Sequence, residues 1–208
     1  MDKIKWVKEN VKEVYEIIAE HFNDKRYSKW DWIETFLDQF PEGSLVYDIG
    51  CGPGRNIRPG MIGIDNCDNF LKIANNNNKD VIKGDMTFLP VEDESGIGII
   101  CIAAFHHLIN ESERLNALLE FKRVIKPGSK IMISVWSIDQ GPETKGNRKL
   151  KFEYGDNIVP WNHHGEIYER YYYIFKIEEI QELFKKAELK ELQHFWNHGN
   201  EIYILQKT

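Results

Sequence analysis

The spacing of apolar positions changes several times along the chain, and each change marks an element. Between residues 4 and 20, Val11, Val14, Tyr15, Ile17 and Ile18 recur at helical intervals. Residues 30–39 repeat that spacing, with Trp30, Ile33, Phe36 and Leu37 on one side, before Pro41 and Gly43 break it. Residues 44–48 predict a short strand that runs into a glycine-rich loop, and Met61–Asp65 predicts a second strand soon after. A short helix is expected over 67–76, ended by the asparagines at 75–78, whose side chains favour turns over continued helix. Residues 81–84 form a third short strand, and 97–103 are almost continuously apolar, as in a buried central strand of a parallel sheet.

Glu111–Val124 returns to helical spacing through Leu115, Leu118, Leu119 and Phe121, and Pro127-Gly128 separates it from a strand at 130–136. The polar interval 137–157 predicts a long loop, and 176–187 a last helix. Two apolar segments, 192–196 and 201–206, flank His198-Gly199-Asn200 and read as an antiparallel hairpin. Strands alternating with helices predict an α/β fold, a doubly wound and mostly parallel sheet ending in that hairpin. With 208 residues, one domain over 1–208 suffices, with 1–40 as an N-terminal helical cap and 137–173 as a substrate-side insertion.

Composition narrows the class. The apolar fraction of 42% argues for a folded chain, and 12% aromatic residues, with six Trp and nine Tyr, suggest a use beyond core filling. No apolar run reaches membrane length and the first residues lack a signal-peptide core, so a soluble, cytoplasmic protein is expected. Cys51, Cys67 and Cys101 form no CxxC pair, and nothing in the spacing calls for a metal. A formal charge of −6 argues against broad wrapping by nucleic acid. Local basic tracks remain available at Lys25, Arg26 and Lys29, and at Lys145, Arg148, Lys149 and Lys151, where a solvated loop is an equal reading.

The candidate chemistry starts at Val46-Tyr-Asp-Ile-Gly-Cys-Gly-Pro-Gly54. Gly50, Gly52 and Gly54 give GxGxG, and Arg55 stands where the dinucleotide fingerprint GxGxxG needs its third glycine. A pyrophosphate is therefore poorly supported. Asp65, ending the second strand, suits a ribose, and Asp85, after the third, suits a base edge. Together they point to a nucleoside-bearing cofactor with no required phosphate.

Asp48–Gly54 resembles motif I of the class I S-adenosylmethionine-dependent methyltransferases, and Asp65, Gly84-Asp85 and the strand ending near Ala103 resemble that family's later cofactor positions. Val14-Tyr15, Ile18-Ala19, His21-Phe22, Arg26-Tyr27 and Trp30 resemble the N-terminal pattern of the eukaryotic tRNA wobble-uridine carboxymethyl methyltransferases, of the yeast tRNA methyltransferase nine and AlkB-homologue-eight types. The segment 102–107, Val135-Trp136 with Asp139-Gln140, Val159-Pro160-Trp161 and Arg170-Tyr171-Tyr172 extend the resemblance over roughly 11–206. Departures are a short interval from Gly54 to Asp65, Pro53 where Asn is common, and a compact stretch from Gln140 to Val159.

The resemblance implies a Rossmann-like fold that binds S-adenosyl-L-methionine and esterifies the carboxylate of 5-carboxymethyluridine at the tRNA wobble position. It assigns the cofactor to Asp48, Gly50, Cys51, Gly52, Asp65, Asp85, Met86 and Ala103. Arg26 would place the substrate carboxylate, and Tyr27 would orient it or act as an aromatic lid. His106 is the third catalytic candidate; it or His107 would donate to the acceptor or order the pocket, with helix capping and packing as the plainer reading. Trp136 and Trp161 would stack on the base, and Arg170 would meet phosphate or carboxylate. The resemblance further implies a heterodimer with a small zinc-binding activator of the tRNA methyltransferase 112 type, with Val81 and Ile82 as contacts. A small-carboxylate methyltransferase and a noncatalytic RNA-binding scaffold remain the alternative readings.

Overall fold

The computed structural model describes residues 3–25, 30–141 and 151–208. The switch point of the fold lies between two adjacent parallel strands, β1 (Val46–Ile49) and β4 (Gly96–Ile102). On one side the sheet continues through β2 (Met61–Asp65) to β3 (Val81–Lys83), all parallel. On the other side come β5 (Ile125–Trp136), β9 (Asn200–Lys207) and the edge strand β8 (Leu189–Asn197), with β9 antiparallel to both neighbours. The expected terminal hairpin is thus present, and it completes a seven-stranded sheet.

Each strand reads as its burial demands. All four residues of β1 are buried, because helices cover both faces of the sheet centre. One face packs against α4 (Glu111–Val124) and α5 (Ile177–Lys186) through Ile99, Ile131, Phe121 and Phe184. The other packs against α2 (Asp31–Leu37) through Ile33, Phe36, Ile100 and Met132. Residues 51–60 contain only turns, as the short interval after Gly54 suggested.

The N-terminal segment divides. While α2 lies on the sheet, α1 (Lys3–Asp24) crosses the strand ends and docks on α3 (Asp68–Asn76). Glu16 fixes that docking. Its carboxylate accepts the backbone N–H groups of Asp68 (2.6 Å) and Asn69 (2.9 Å), the free donors at the start of α3.

The long loop expected over 137–157 is shorter than that. Residues 155–163 form β6 (Gly155–His163), paired in register with β7 (Glu166–Ile174) as a separate two-stranded sheet. The strand escapes a hydrophobic reading because Val159 is its only buried residue, and Pro160 interrupts it. Strand β5 also starts earlier than expected, at Ile125, with an irregular register against β4 before Gly98. Among the described residues, no helix is long and apolar enough to cross a membrane.

Candidate functional site

A cavity of about 370 Å³ opens over the carboxyl ends of β1, β2 and β4, where α1 crosses them. One half of it is made by the glycine loop. Gly50 and Gly52 both adopt positive φ, +68° and +54°. A Cβ on Gly50 would come within 2.4 Å of the Ala104 Cβ, so only glycine lets the loop approach the end of β4. A Cβ on Gly52 would meet nothing nearer than Phe70 at 4.0 Å and would project into the cavity.

Asp65 stabilises the loop. Its carboxylate accepts the N–H of Gly52 (2.8 Å) and of Cys67 (2.9 Å), and burial raises its pKa despite those donors. It lines the cavity with lone pairs to spare for a ligand hydroxyl. Asp85 and Met86 line it too, Asp85 accepting from the Thr87 N–H (2.8 Å) and hydroxyl (2.6 Å). Ala103 also lines it at the end of β4, with a positive φ of +54° held by its N–H to Ser134 O and Oγ. Cys51 lines the cavity as well, its thiol pushed up by burial and by Asp48 and Asp65, so it is no nucleophile. Asp48 lies beneath the loop, buried and off the wall, its pKa raised to about 7 by burial and then by Asp65. It can position the loop but does not face the cavity.

The other half is assembled from distant side chains. His107 sits in a 3₁₀ turn, Phe105–His107, and its Nδ1 lies 2.7 Å from the Tyr171 carbonyl. A carbonyl only accepts, so Nδ1 carries the hydrogen and the neutral ring offers Nε2 as acceptor. Burial agrees, lowering the His107 pKa to about 4. Tyr15 of α1 then donates to Nε2 at 3.1 Å, Tyr172 donates to Tyr15 at 3.1 Å, and Arg170 Nη1 donates to Tyr172 at 2.9 Å. The direction of every hydrogen in the chain follows from its two ends.

Arg170 is 3% exposed and stands behind Tyr172, between the Trp161 and Tyr172 rings. Among the described residues no carboxylate forms an ion pair with it, and its Nε is a buried donor with no hydrogen-bond partner. A desolvated guanidinium held only by hydroxyls and ring faces leaves its charge uncompensated.

The remaining sequence expectations divide. His107 and Trp136 reach the cavity wall, Trp136 stacked on Tyr172 at 4.3 Å. His106 does not. It is fully buried behind the wall, with Nδ1 accepting the Trp136 N–H at 3.2 Å, and burial keeps its ring neutral. Its place orders the wall, and the expected catalytic contact is not made here. Trp161 stands off the cavity, donating to His21 Nδ1 at 3.2 Å, and Arg170 reaches the cavity through the Tyr172 and Tyr15 hydroxyls. Arg26 and Tyr27 lie outside the described residues, as do Lys29, Lys145, Arg148 and Lys149.

Sequence reading missed Tyr15, Phe22, Phe70 and Tyr172 as lining residues. Val11, Tyr15 and Phe22 share one face of α1, a helical spacing that does not by itself separate a cavity wall from core. Alternation along β7 sends Tyr172 to the cavity and Tyr171 and Tyr173 to the opposite side, as strand geometry requires. Among the described residues no group of His, Cys, Asp and Glu is placed to hold a metal ion.

Residues 47–133 match the family described as "Methyltransferase domain". The chain is 33% identical to the tRNA (carboxymethyluridine(34)-5-O)-methyltransferase of Schizosaccharomyces pombe, covering 99% of this chain and all of that protein. It is 38% identical to the Arabidopsis thaliana protein of the same name over 64% of this chain and 34% of that longer relative. In fold it resembles a chain of the complex between the Haloferax volcanii Trm112 methyltransferase activator and a methyltransferase, with a TM-score of 0.68 at 18% identity, over 94% of this chain and 96% of the other.

Proposed function

This chain belongs to the tRNA (carboxymethyluridine(34)-5-O)-methyltransferase family of S-adenosylmethionine-dependent enzymes, and from that premise we propose how it esterifies the wobble carboxylate. The observation that carries the proposal is the buried, uncompensated charge of Arg170 behind the two hydroxyls of the cavity wall.

The cavity suits the cofactor in its two ends. The free space over Gly52, the Asp65 carboxylate and the apolar wall of Ile64, Met86 and Phe70 fit a nucleoside. When bound, S-adenosylmethionine supplies a methyl group on a sulfonium centre. Gly50, Cys51, Gly52, Asp65, Asp85, Met86 and Ala103 would hold it, with Asp48 supporting the loop.

The acceptor carboxylate is ionised at neutral pH and needs no general base. What it needs is placement. Arg170 draws the anion to the Tyr15 and Tyr172 end of the cavity, where it competes with His107 Nε2 for the Tyr15 hydrogen. A guanidinium in direct contact would bind the anion at the expense of its nucleophilicity, and the interposed hydroxyls lessen that cost. His106 supports this wall from behind, accepting the Trp136 N–H, and Arg26 and Tyr27, which follow α1 in sequence, complete our substrate-side assignment together with the 137–173 insertion.

A small activator of the tRNA methyltransferase 112 type is the partner we assign to the open edge of β3, where Val81 and Ile82 are half-buried and Phe88 is 78% exposed nearby. Cytoplasmic location and a heterodimeric assembly belong to the same reading. One experiment tests both. The chain alone and with the activator is given labelled methyl donor and tRNA carrying 5-carboxymethyluridine. Label should appear at the wobble base as an alkali-labile methyl ester. Label elsewhere or none removes the reaction, and equal activity without the activator removes the partner.

A further inference from the structure

An unbroken series of ring contacts leads from the cavity to the tip of the β6–β7 hairpin. It begins at Phe22, which lines the cavity and packs on Phe70 at 5.3 Å and Trp161 at 5.6 Å. Trp161 then meets His21 at 5.6 Å and donates its indole N–H to His21 Nδ1. His21 in turn packs on His163 at 5.1 Å and lies stacked under His164 at 5.5 Å. The two hairpin histidines are 4.5 Å apart, and Tyr168 closes the group at 6.0 Å from His163.

The turn itself is shaped for this. His164 and Gly165 both have positive φ, +52° and +93°, in a two-residue hairpin loop. Such a loop favours Asn or Gly at the first position, and His164 occupies it with its exposed ring laid on His21. The His21 ring is neutral. Desolvation, Lys25, His163 and His164 all lower the His21 pKa, and its Nδ1 must be unprotonated to accept from Trp161. Charges around the tip are mixed, with Asp24 ending α1, Lys25 just after it and Glu166 in the hairpin. Among the described residues, this surface therefore offers π-faces and no concentrated positive charge.

From this we infer that the His21, His163 and His164 rings, continued by Trp161 to the cavity, are a stacking platform for unpaired RNA bases beside the nucleotide in the cavity. Single-stranded loops are recognised by such faces because every base can stack on them. The inference rests on the tRNA reading above and names the part of the substrate that lies outside the cavity.

The test uses His164→Gly, which removes the ring and suits the positive φ, and His163→Ala in the full chain. Fluorescence anisotropy follows binding of an unmodified anticodon stem–loop RNA, and calorimetry follows S-adenosylmethionine. Each variant should weaken RNA binding by about tenfold, with cofactor affinity unchanged. The slope of log affinity against log salt should also stay unchanged, since no phosphate contact is lost. Unchanged RNA affinity overturns the platform, and so does a shallower salt slope, which would make the histidines phosphate contacts. Loss of cofactor affinity in parallel would make them structural, and loss of activator binding alone would make the tip a protein surface. If the wild type binds the stem–loop and the variants do not, while no methyl transfer occurs, the platform stands and the reaction fails.

Discussion

The two halves of the cavity are built by different means. The cofactor half is a backbone structure, in which positive φ at Gly50 and Gly52 and one carboxylate from the neighbouring strand shape a loop of consecutive residues. The acceptor half is a side-chain structure, with Tyr15, His107, Arg170 and Tyr172 brought together from α1, the 3₁₀ turn and β7. A loop of the first kind is disabled by one methyl group in the wrong place. A network of the second kind can lose one member, keep its fold and lose its chemistry.

The sharpest way to break this comparison is Gly50→Ala. A Cβ 2.4 Å from the Ala104 Cβ, added to the strain of a non-glycine residue at φ +68°, should reduce cofactor affinity by at least ~100-fold by calorimetry. Near-normal affinity would show that the loop tolerates displacement and is not set by its backbone. Next in size is Arg170→Met, predicted to lower kcat/KM for tRNA by about 100-fold while cofactor affinity moves little. Because the buried charge has no ion-pair partner among the described residues, an apolar replacement should leave the melting temperature equal or higher. A large fall in melting temperature would instead make Arg170 a structural anchor.

A smaller effect sharpens the assignment of His107. Its folded pKa of about 4 lies below the 6.5 of the free side chain, so the unfolded chain takes up the proton first as pH falls. The stabilisation is complete above pH 6.5 and is lost between 6.5 and 4, amounting to about 3 kcal/mol. Asp48 acts in the opposite direction, because a raised carboxylate pKa favours the fold at low pH and loses that contribution as pH rises toward 7. Denaturant unfolding across this range should therefore compare wild type with His107→Gln. Identical pH profiles would mean that the His107 pKa is the same in the folded and unfolded chains, and that burial does not hold the ring neutral.

Much of the fold was legible locally. Met61–Asp65 and Glu111–Val124 coincide with their sequence readings, because a buried strand and an amphipathic helix each carry their own period. The GxGxG loop could be read as well, since its conformation depends on residues next to one another. The hairpin over 155–174 was harder. β6 buries only Val159 and pairs with a strand whose aromatic residues looked like separate motifs. His106 and His107 show the same limit, being adjacent in sequence while only one reaches the wall, a difference set by the 3₁₀ turn.

By itself, then, the amino-acid order determined the alternation of elements, the glycine loop, the acid that ends β2 and the acid that follows β3. All of these rest on interactions between near neighbours. Tertiary structure alone decided that Tyr15 meets His107 across 92 positions and Tyr172 across 157, and that Arg170 stands behind them without a carboxylate. Those contacts exist only because Glu16 docks α1 on α3 and the β6–β7 hairpin folds beside it. No local period encodes where two distant surfaces meet.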